Sequence, residues 1–156
     1  MFDYYYMKMA LKQAKKTKDE VPVGAVIVKN EKAVSSAHNK TIALSNPIAH
    51  AEILSINEAT SSIGKLFDCD MYVTLEPCPM CAQAISFSRI RRLYFGAYNK
   101  KGGGIENGAR IFKFCNYVPE IYGGILESKS SLLLKHFFIR LRKKDLLYER
   151  CCEPKS

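Results

Sequence analysis

Three side chains of kinds that bind transition metals stand out in this sequence: His50, Cys78 and Cys81. The two cysteines are three positions apart, so both sulfurs fall on one face if a helix begins here. One histidine and two cysteines form a donor set that zinc prefers. Structural zinc sites close with four ligands, whereas catalytic sites keep a position for water, so three ligands favour catalysis. Glu52 lies two residues after His50, and its carboxylate could move a proton to and from that water.

The sequence around the cysteines predicts where their helix begins. Pro77 stands directly before Cys78, and Pro79 follows just inside, which is the pattern of a helix start. A short apolar run at 71–75 predicts a strand that leads into this segment. At a helix N-terminus, unpaired N–H groups and the positive end of the helix dipole favour thiolate over thiol.

The segment that carries the histidine is predicted to be a second helix. Residues 48–63 fit a helix with His50 and Glu52 in its first turn. Asn39 stands just ahead of it, at the end of a strand predicted over 32–38. A loop asparagine is usually a turn residue, but an amide here could also pair with the edge of a purine base.

The remaining segments complete an α/β pattern. Residues 2–16 fit an amphipathic helix, 21–28 a buried strand and 93–95 a further strand, whereas 105–127 predict no regular element. The side of the first helix expected to pack on the sheet consists of Phe2, Tyr5, Tyr6, Met9, Ala10 and Gln13. A last helix is predicted from an apolar face that repeats at i, i+3, i+4 and i+7, formed by Leu134, Phe137, Phe138 and Leu141. Alternating strands and helices predict some parallel pairing, with the metal beyond the strand ends where two helices begin.

Length and composition indicate one domain, assigned to residues 1–150, followed by a polar tail at 151–156. No apolar run approaches the length of a membrane span, and the N-terminus lacks the features of a signal peptide. Six cysteines without a secretory signal favour a reducing cytosol, so we expect a cytoplasmic protein without membrane attachment.

The net charge of +9 favours a polyanionic partner. Two segments concentrate basic residues without any acidic one: 89–101 and 135–144. A solvated basic face is the ordinary reading of such a run. Aromatic residues in the same segments that could stack on bases favour RNA instead.

The pattern H-x-E followed by P-C-x-x-C is more specific than either half. A lone C-x-x-C could equally be a redox pair or half of a structural zinc site. The joint pattern is the known signature of zinc nucleobase deaminases. It favours hydrolytic deamination, with Glu52 carrying protons between water, ring and leaving amine.

Nearly the whole chain resembles the bacterial tRNA-specific adenosine deaminases, which make inosine at the anticodon wobble position. The resemblance rests on residues 21–26, 39, 49–53, 74–82, 88–90, 95–97, 137, 138 and 140. It implies a three-layer α/β/α cytidine-deaminase-like fold with a central mixed five-stranded sheet. It also implies a homodimer, one Zn²⁺ per subunit and a tRNA anticodon stem-loop as the substrate.

The resemblance assigns roles to individual residues. It implies that His50, Cys78 and Cys81 bind zinc and that Glu52 shuttles protons. The implied substrate contacts are Asn39 and Val23 at the flipped base and Phe137, Phe138 and Arg140 near the anticodon loop.

One loop departs from the family pattern. Tyr98-Asn99 stands where an Asp is common at the second position, and residues 102–108 replace a short Gly-Ser stretch. We expect the glycines at 102–104 to form a flexible loop that could close over a substrate. Two rival functions remain at this point: a deaminase of a free base or nucleoside (guanine, cytosine or cytidine) and a non-catalytic zinc-stabilised RNA-binding module.

Overall fold

The fold is known from a computed structural model that describes the backbone of residues 2–151 and the side chains of residues 3–144. The helices are α1 (Phe2–Ala14), α2 (Ala51–Ile63), α3 (Pro79–Phe87), a short 3₁₀ helix (Ile111–Phe114) and α4 (Glu127–Cys151). The strands are β1 (Gly24–Lys29), β2 (Lys32–His38), β3 (Asp70–Leu75), β4 (Arg92–Ala97) and β5 (Glu120–Tyr122).

The five strands form one sheet in the order β2-β1-β3-β4-β5. β1 pairs antiparallel with both β2 and β3, whereas β3–β4 and β4–β5 are parallel pairs. The mixed five-stranded sheet expected from the family resemblance is therefore confirmed. Asn30 and Glu31 join β1 to β2 with positive φ angles, which suits a two-residue hairpin turn.

Helices cover both faces of the sheet because side chains alternate along each strand. Ala25 and Ile27 of β1 pack in the larger core, which also contains residues of α2 and α3. Val26 and Val28 point to the other side and pack with α1. α4 follows on that second face, where its Ser130 lies against Gly96 of β4. This confirms the three-layer α/β/α arrangement.

Two predicted helix faces were partly wrong. In α1, Tyr6 and Ala10 are buried as expected, but Tyr5 is 59% exposed and Met7 is fully buried in its place. Phe2 lies outside the residues whose side chains are described. In α4, Phe137 is buried, whereas Phe138 is 43% and Leu141 40% exposed. The buried stripe of α4 is narrower than its apolar pattern because the helix meets the sheet mainly through β4.

The region 105–127 is more regular than the sequence predicts, since it contains the 3₁₀ helix and β5. At the other end, α4 continues to Cys151, and residues 152–156 lie outside the described part of the chain. The division into a domain at 1–150 and a tail at 151–156 stays a prediction. Among the described residues, no helix combines the length and apolar character needed to cross a membrane.

Candidate active site

The candidate site lies at one edge of the sheet. β2 and β3 both run antiparallel to β1, so they point in the same direction and end at the same edge. Asn39 follows β2 directly, and Glu76 follows β3 directly. α2 and α3 begin beyond these strand ends, so their N-termini meet there, which is the usual place for sites in such sheets.

His50 is placed by the start of α2. The prediction that this helix begins at residue 48 was wrong, because α2 begins at Ala51 and His50 is the residue before it, in extended conformation with φ −72° and ψ 152°. The backbone before it is held in turns instead: the His50 N–H donates to Ile48 O at 2.8 Å, and the Lys40 N–H donates to Ala49 O at 3.0 Å. The histidine side chain therefore lies at the N-terminus of α2.

Cys78 and Cys81 are placed by the start of α3. Cys78 precedes the helix in extended conformation, Pro79 is its first residue, and Cys81 follows in the first turn. His50 Nδ1 lies 3.7 Å from Cys78 Sγ and 3.5 Å from Cys81 Sγ. The three ligand atoms all lie within 4.8 Å of one another.

These distances fit a bound zinc ion. With zinc–nitrogen and zinc–sulfur bonds of about 2.0–2.1 and 2.3 Å, tetrahedral geometry separates a nitrogen and a sulfur ligand by about 3.6 Å. Both observed His50 separations are close to that value. A Cys₂His donor set leaves the fourth position of a tetrahedron free for water.

The pKa values of the two thiols are shifted in opposite directions. A hydrogen bond from Cys81 lowers the pKa of Cys78 to about 4, and a hydrogen bond with His50 adds to the effect. The same Cys81–Cys78 bond, together with burial, raises the pKa of Cys81. The hydrogen bond with Cys78 also raises the pKa of His50. One thiolate is therefore present at neutral pH, and thiolate is the form that binds metals.

Glu52 is buried in the first turn of α2 and is only 4% exposed. Burial raises the pKa of its carboxyl to about 7. The charges of Cys78 and His50 also act on this carboxyl, so it lies close to the metal-binding cluster. A carboxyl group that titrates near neutral pH is suited to exchange protons with a substrate.

Asn39 is buried and makes hydrogen bonds from both ends of its amide. Its Oδ1 accepts from the Ala51 N–H at 2.9 Å, which links it to the first turn of α2. Its Nδ2 donates to Val21 O at 3.1 Å. Val23 is buried beside it, and its carbonyl accepts from the Asn39 N–H at 3.1 Å. Each end of the amide thus makes one hydrogen bond within the protein, which leaves one Nδ2 proton and one Oδ1 lone pair, so pairing with a purine edge stays a prediction.

A cavity of about 260 Å³ adjoins Asn39. Its lining includes three lysines and His38 together with two carboxylates: Lys16, Lys18, Lys40, Asp19 and Glu20. Burial lowers the pKa of His38, and the positive charges of Lys40 and Lys16 lower it further. With three lysines against two carboxylates the cavity has a small excess of positive charge, and it is called the positively charged groove below. Asn39, which binds the Ala51 N–H, connects it to the start of α2.

Of the three α4 residues named from the family resemblance, Phe137 and Arg140 lie beside the segment that borders this groove. Phe137 is buried, and Phe138 stacks edge-on against it with ring centroids 5.3 Å apart. Arg140 donates from Nη2 to Lys18 O at 3.2 Å, and Lys144 pairs with Asp19 at 2.8 Å. α4 is thus attached to the segment that borders the groove.

The loop after β4, residues 98–110, is called the glycine loop below. Gly103 and Gly104 are buried in it, and the Gly104 N–H donates to Pro77 O at 2.8 Å. The expectation of a flexible loop closing over a substrate was therefore wrong for these two glycines, which pack against the cysteine segment. Asn99, the expected departure from the family pattern, accepts the Gly102 N–H through Oδ1 at 3.0 Å. Aspartate could accept the same bond, so the departure preserves this turn.

The basic segment at 89–101 is partly neutralised. Arg91 pairs with Asp70 at 2.8 Å, and Arg92 pairs with Glu120 at 2.9 Å. These ion pairs hold the starts of neighbouring strands together. Lys100 and Lys101 remain exposed at the tip of the glycine loop.

Comparison with known proteins connects this site to a family. Residues 1–97 match the model of the cytidine and deoxycytidylate deaminase zinc-binding region. A tRNA-specific adenosine deaminase of Rickettsia felis is 52% identical over 87% of this chain and 100% of its own length. The protein of the same name from Agrobacterium fabrum is 45% identical over 90% of this chain and 97% of its own length. The chain belongs to the tRNA-specific adenosine deaminase family.

Solved structures agree with this assignment. A protein from a study of A-to-I editing by tRNA:A34 deaminases at the wobble position superimposes with a TM-score of 0.81. It is 45% identical, and the match covers 83% of this chain and 98% of the other. A guanine deaminase from Bacillus subtilis is more distant, with a TM-score of 0.58 and 33% identity over 60% of this chain.

Proposed function

We propose that the protein is a zinc-dependent hydrolase that deaminates adenosine to inosine at the wobble position of a tRNA anticodon. The observation that carries the proposal is the cluster of His50, Cys78 and Cys81 beside the buried Glu52, in a chain of this family. Three metal ligands with a carboxyl group beside them suit metal-assisted hydrolysis.

We assign His50, Cys78 and Cys81 as the ligands of one Zn²⁺ per subunit. The ligand separations support this assignment. A zinc ion bound there would supply Lewis-acid activation of a water molecule.

We assign Glu52 as the general base and acid. It takes a proton from the attacking water as the water oxygen adds to C6 of adenine. It passes this proton to the ring nitrogen, and then moves the remaining proton of the added hydroxyl to the departing amine, so that adenosine and water give inosine and ammonia. Its burial beside the ligands keeps bulk water from competing for these protons.

For the base pocket we propose Asn39 and Val23. An amide nitrogen carries two protons, and Val21 O takes one of them, so Asn39 can offer the other to an acceptor on the flipped base. Val23 supplies a buried apolar contact beside it. Asn39 thus acts as a single donor and as an anchor of α2.

For the RNA we propose the positively charged groove and the α4 residues. The lysines of the groove suit the phosphates that flank the flipped nucleotide. Phe138 is exposed enough to stack on a base, whereas the buried Phe137 supports it from behind. Arg140 positions α4 on the groove segment through Lys18 O. An anticodon loop presents splayed bases, so little unstacking is required. We also propose that the enzyme acts in the cytoplasm, in accord with a tRNA substrate.

We also propose a homodimer, in accord with the family resemblance. Phe87 at the end of α3 is 78% exposed, and Phe114 at the end of the 3₁₀ helix is 82% exposed. They border a cavity of about 490 Å³ and offer an apolar surface to a second copy. Sedimentation equilibrium of the wild type and of Phe87→Ser/Phe114→Ser tests this, and a wild-type monomer at micromolar concentration refutes it.

A second candidate, deamination of a free base or nucleoside, is favoured by the similarity to guanine deaminase. It uses the same cluster but has no need of the lysine-lined groove or the exposed Phe138. The guanine deaminase superimposes less well than the protein from the tRNA:A34 deaminase study, with TM-scores of 0.58 and 0.81, and this difference favours the tRNA substrate.

The test uses zinc-loaded protein and two anticodon stem-loops that differ only in the position of a single adenosine. One carries adenosine at the wobble position, and the other carries it at the next loop position. We expect inosine in the first and not in the second. Equal conversion of both, or of neither, contradicts the proposal.

A further inference from the structure

Glu76 is a buried carboxylate that the proposed reaction does not use. It is 1% exposed and lies between the end of β3 and Pro77. Among the residues with described side chains, no lysine or arginine forms an ion pair with it. An isolated buried charge is costly, so its partners need to be identified.

Those partners all come from the glycine loop. Oε2 accepts from the Asn99 N–H at 3.0 Å and from Asn107 Nδ2 at 2.7 Å. Oε1 accepts from the Glu106 and Asn107 N–H groups, each at 2.8 Å. All four contacts are hydrogen bonds that the carboxylate accepts, two at each oxygen. The loop is therefore folded around the Glu76 carboxylate.

The same loop supports the cysteine segment. Besides the Gly104–Pro77 hydrogen bond, the Gly104 backbone lies so close to Cys78 and Pro79 that an added Cβ would meet Cys78 C at 2.8 Å and Pro79 N at 2.7 Å. A Cβ on Gly103 would meet Glu76 Oε1 at 2.7 Å. Glu76, the loop backbone and the Cys78 backbone therefore form one packed unit.

We propose that Glu76 is a positioning residue that holds the glycine loop against Cys78, and so controls how firmly the site retains zinc and where Lys100 and Lys101 meet RNA. The part about RNA rests on the proposed function, whereas the part about zinc does not. Residues that do not bind the metal but hold its ligands in place typically cost about 10- to 100-fold in metal affinity or activity when they are substituted.

The experiment measures zinc release to a chromogenic chelator and hydrogen exchange of the loop amides. Glu76→Gln places an amide N–H₂ opposite two donors, Asn99 N–H and Asn107 Nδ2, so it should release zinc about tenfold faster and expose the Gly104 amide to exchange. Adding Asn107→Asp supplies an acceptor for the new amide, so the double variant should release zinc more slowly than Glu76→Gln. A core variant on β1, Ile27→Ala, serves as the control for a general loss of stability.

Three results overturn the proposal: wild-type zinc release in Glu76→Gln, no rescue by Asn107→Asp, or equally fast release from Ile27→Ala at a matched fall in Tm. If Glu76→Gln does not fold, Asn107→Ala removes the 2.7 Å bond from a half-buried loop position and should show the same effects at smaller size.

The RNA part is tested at saturating zinc. In wild type, Lys100→Ala/Lys101→Ala should raise KM for the stem-loop with little change in kcat, and in Glu76→Gln it should add less. Fully additive effects contradict the RNA part. If wild type leaves the stem-loop unchanged, the proposed function fails, and the zinc-release rates still decide the zinc part.

Discussion

Replacement of Gly104 by alanine should damage the zinc site although Gly104 is not a ligand. The new Cβ would lie 2.7 Å from Pro79 N and 2.8 Å from Cys78 C, whereas ordinary contact begins at 3.4 Å. The loop and the Cys78 backbone must therefore separate by about 0.7 Å, and neither neighbour is a side chain that can swing away. A misplacement of about 1 Å can cost about 100-fold in rate.

We therefore expect Gly104→Ala to lower kcat on the stem-loop about 10- to 100-fold and to release zinc faster, with an overpacking cost of about 1–3 kcal/mol in the free energy of unfolding. The matched control is Gly102→Ala in the same loop. There the Cβ meets only the Asn99 side chain, at 3.3 Å for its Nδ2, and this side chain is able to shift. Zinc release and deamination are measured on both variants under one set of conditions. If Gly104→Ala behaves like Gly102→Ala, the coupling between loop and ligand is refuted.

Three further predictions concern the proton shuttle, the groove and the loop. Glu52→Gln should keep its zinc and lose about 10²- to 10⁴-fold in kcat, so a metal analysis and a rate measurement together decide, and undiminished turnover excludes the shuttle role. The pKa of His38 is lowered in the folded protein, so the unfolded chain binds its proton at higher pH, and the stability of the zinc-loaded protein should fall as pH falls below about 6.5. His38→Gln should flatten that fall in denaturant titrations at several pH values, and an unchanged slope contradicts the prediction. Log–log plots of stem-loop affinity against salt should be shallower by about 0.7 for each of Lys100 and Lys101 replaced by alanine, and equal slopes show that these lysines do not meet phosphate.

The metal-binding cluster could be predicted because its signal is local. Cys78 and Cys81 are close in sequence, and Pro77 and Pro79 mark the helix start that orients them. Only one distant residue, His50, had to be brought to them, and the shared direction of β2 and β3 does that. The start of α2 was placed too early because apolar and small residues before Ala51 fit a helical pattern that backbone turns override.

Other features depend on contacts that leave little trace in sequence. β5 is three residues long and mostly exposed, so it has no apolar alternation to detect. Met7 replaces Tyr5 on the buried side of α1 because the pattern of apolar residues did not determine how the helix is rotated on the sheet. Glu76 binds backbone N–H groups about 23 to 31 residues further along the chain, and backbone groups carry no sequence signature. Its only signal was an acidic residue at the end of an apolar strand.

The most direct test of the central claim compares kcat/KM for ammonia release from four substrates by zinc-loaded enzyme. They are an anticodon stem-loop with wobble adenosine, free adenosine, cytidine and guanine. We expect release, with formation of inosine, from the stem-loop and little from the three small molecules. Preference for a free base or nucleoside would keep the His50–Cys78–Cys81 chemistry and contradict the tRNA substrate. No release from any of the four, with zinc bound, would contradict the catalytic role itself and favour a zinc-stabilised binding module.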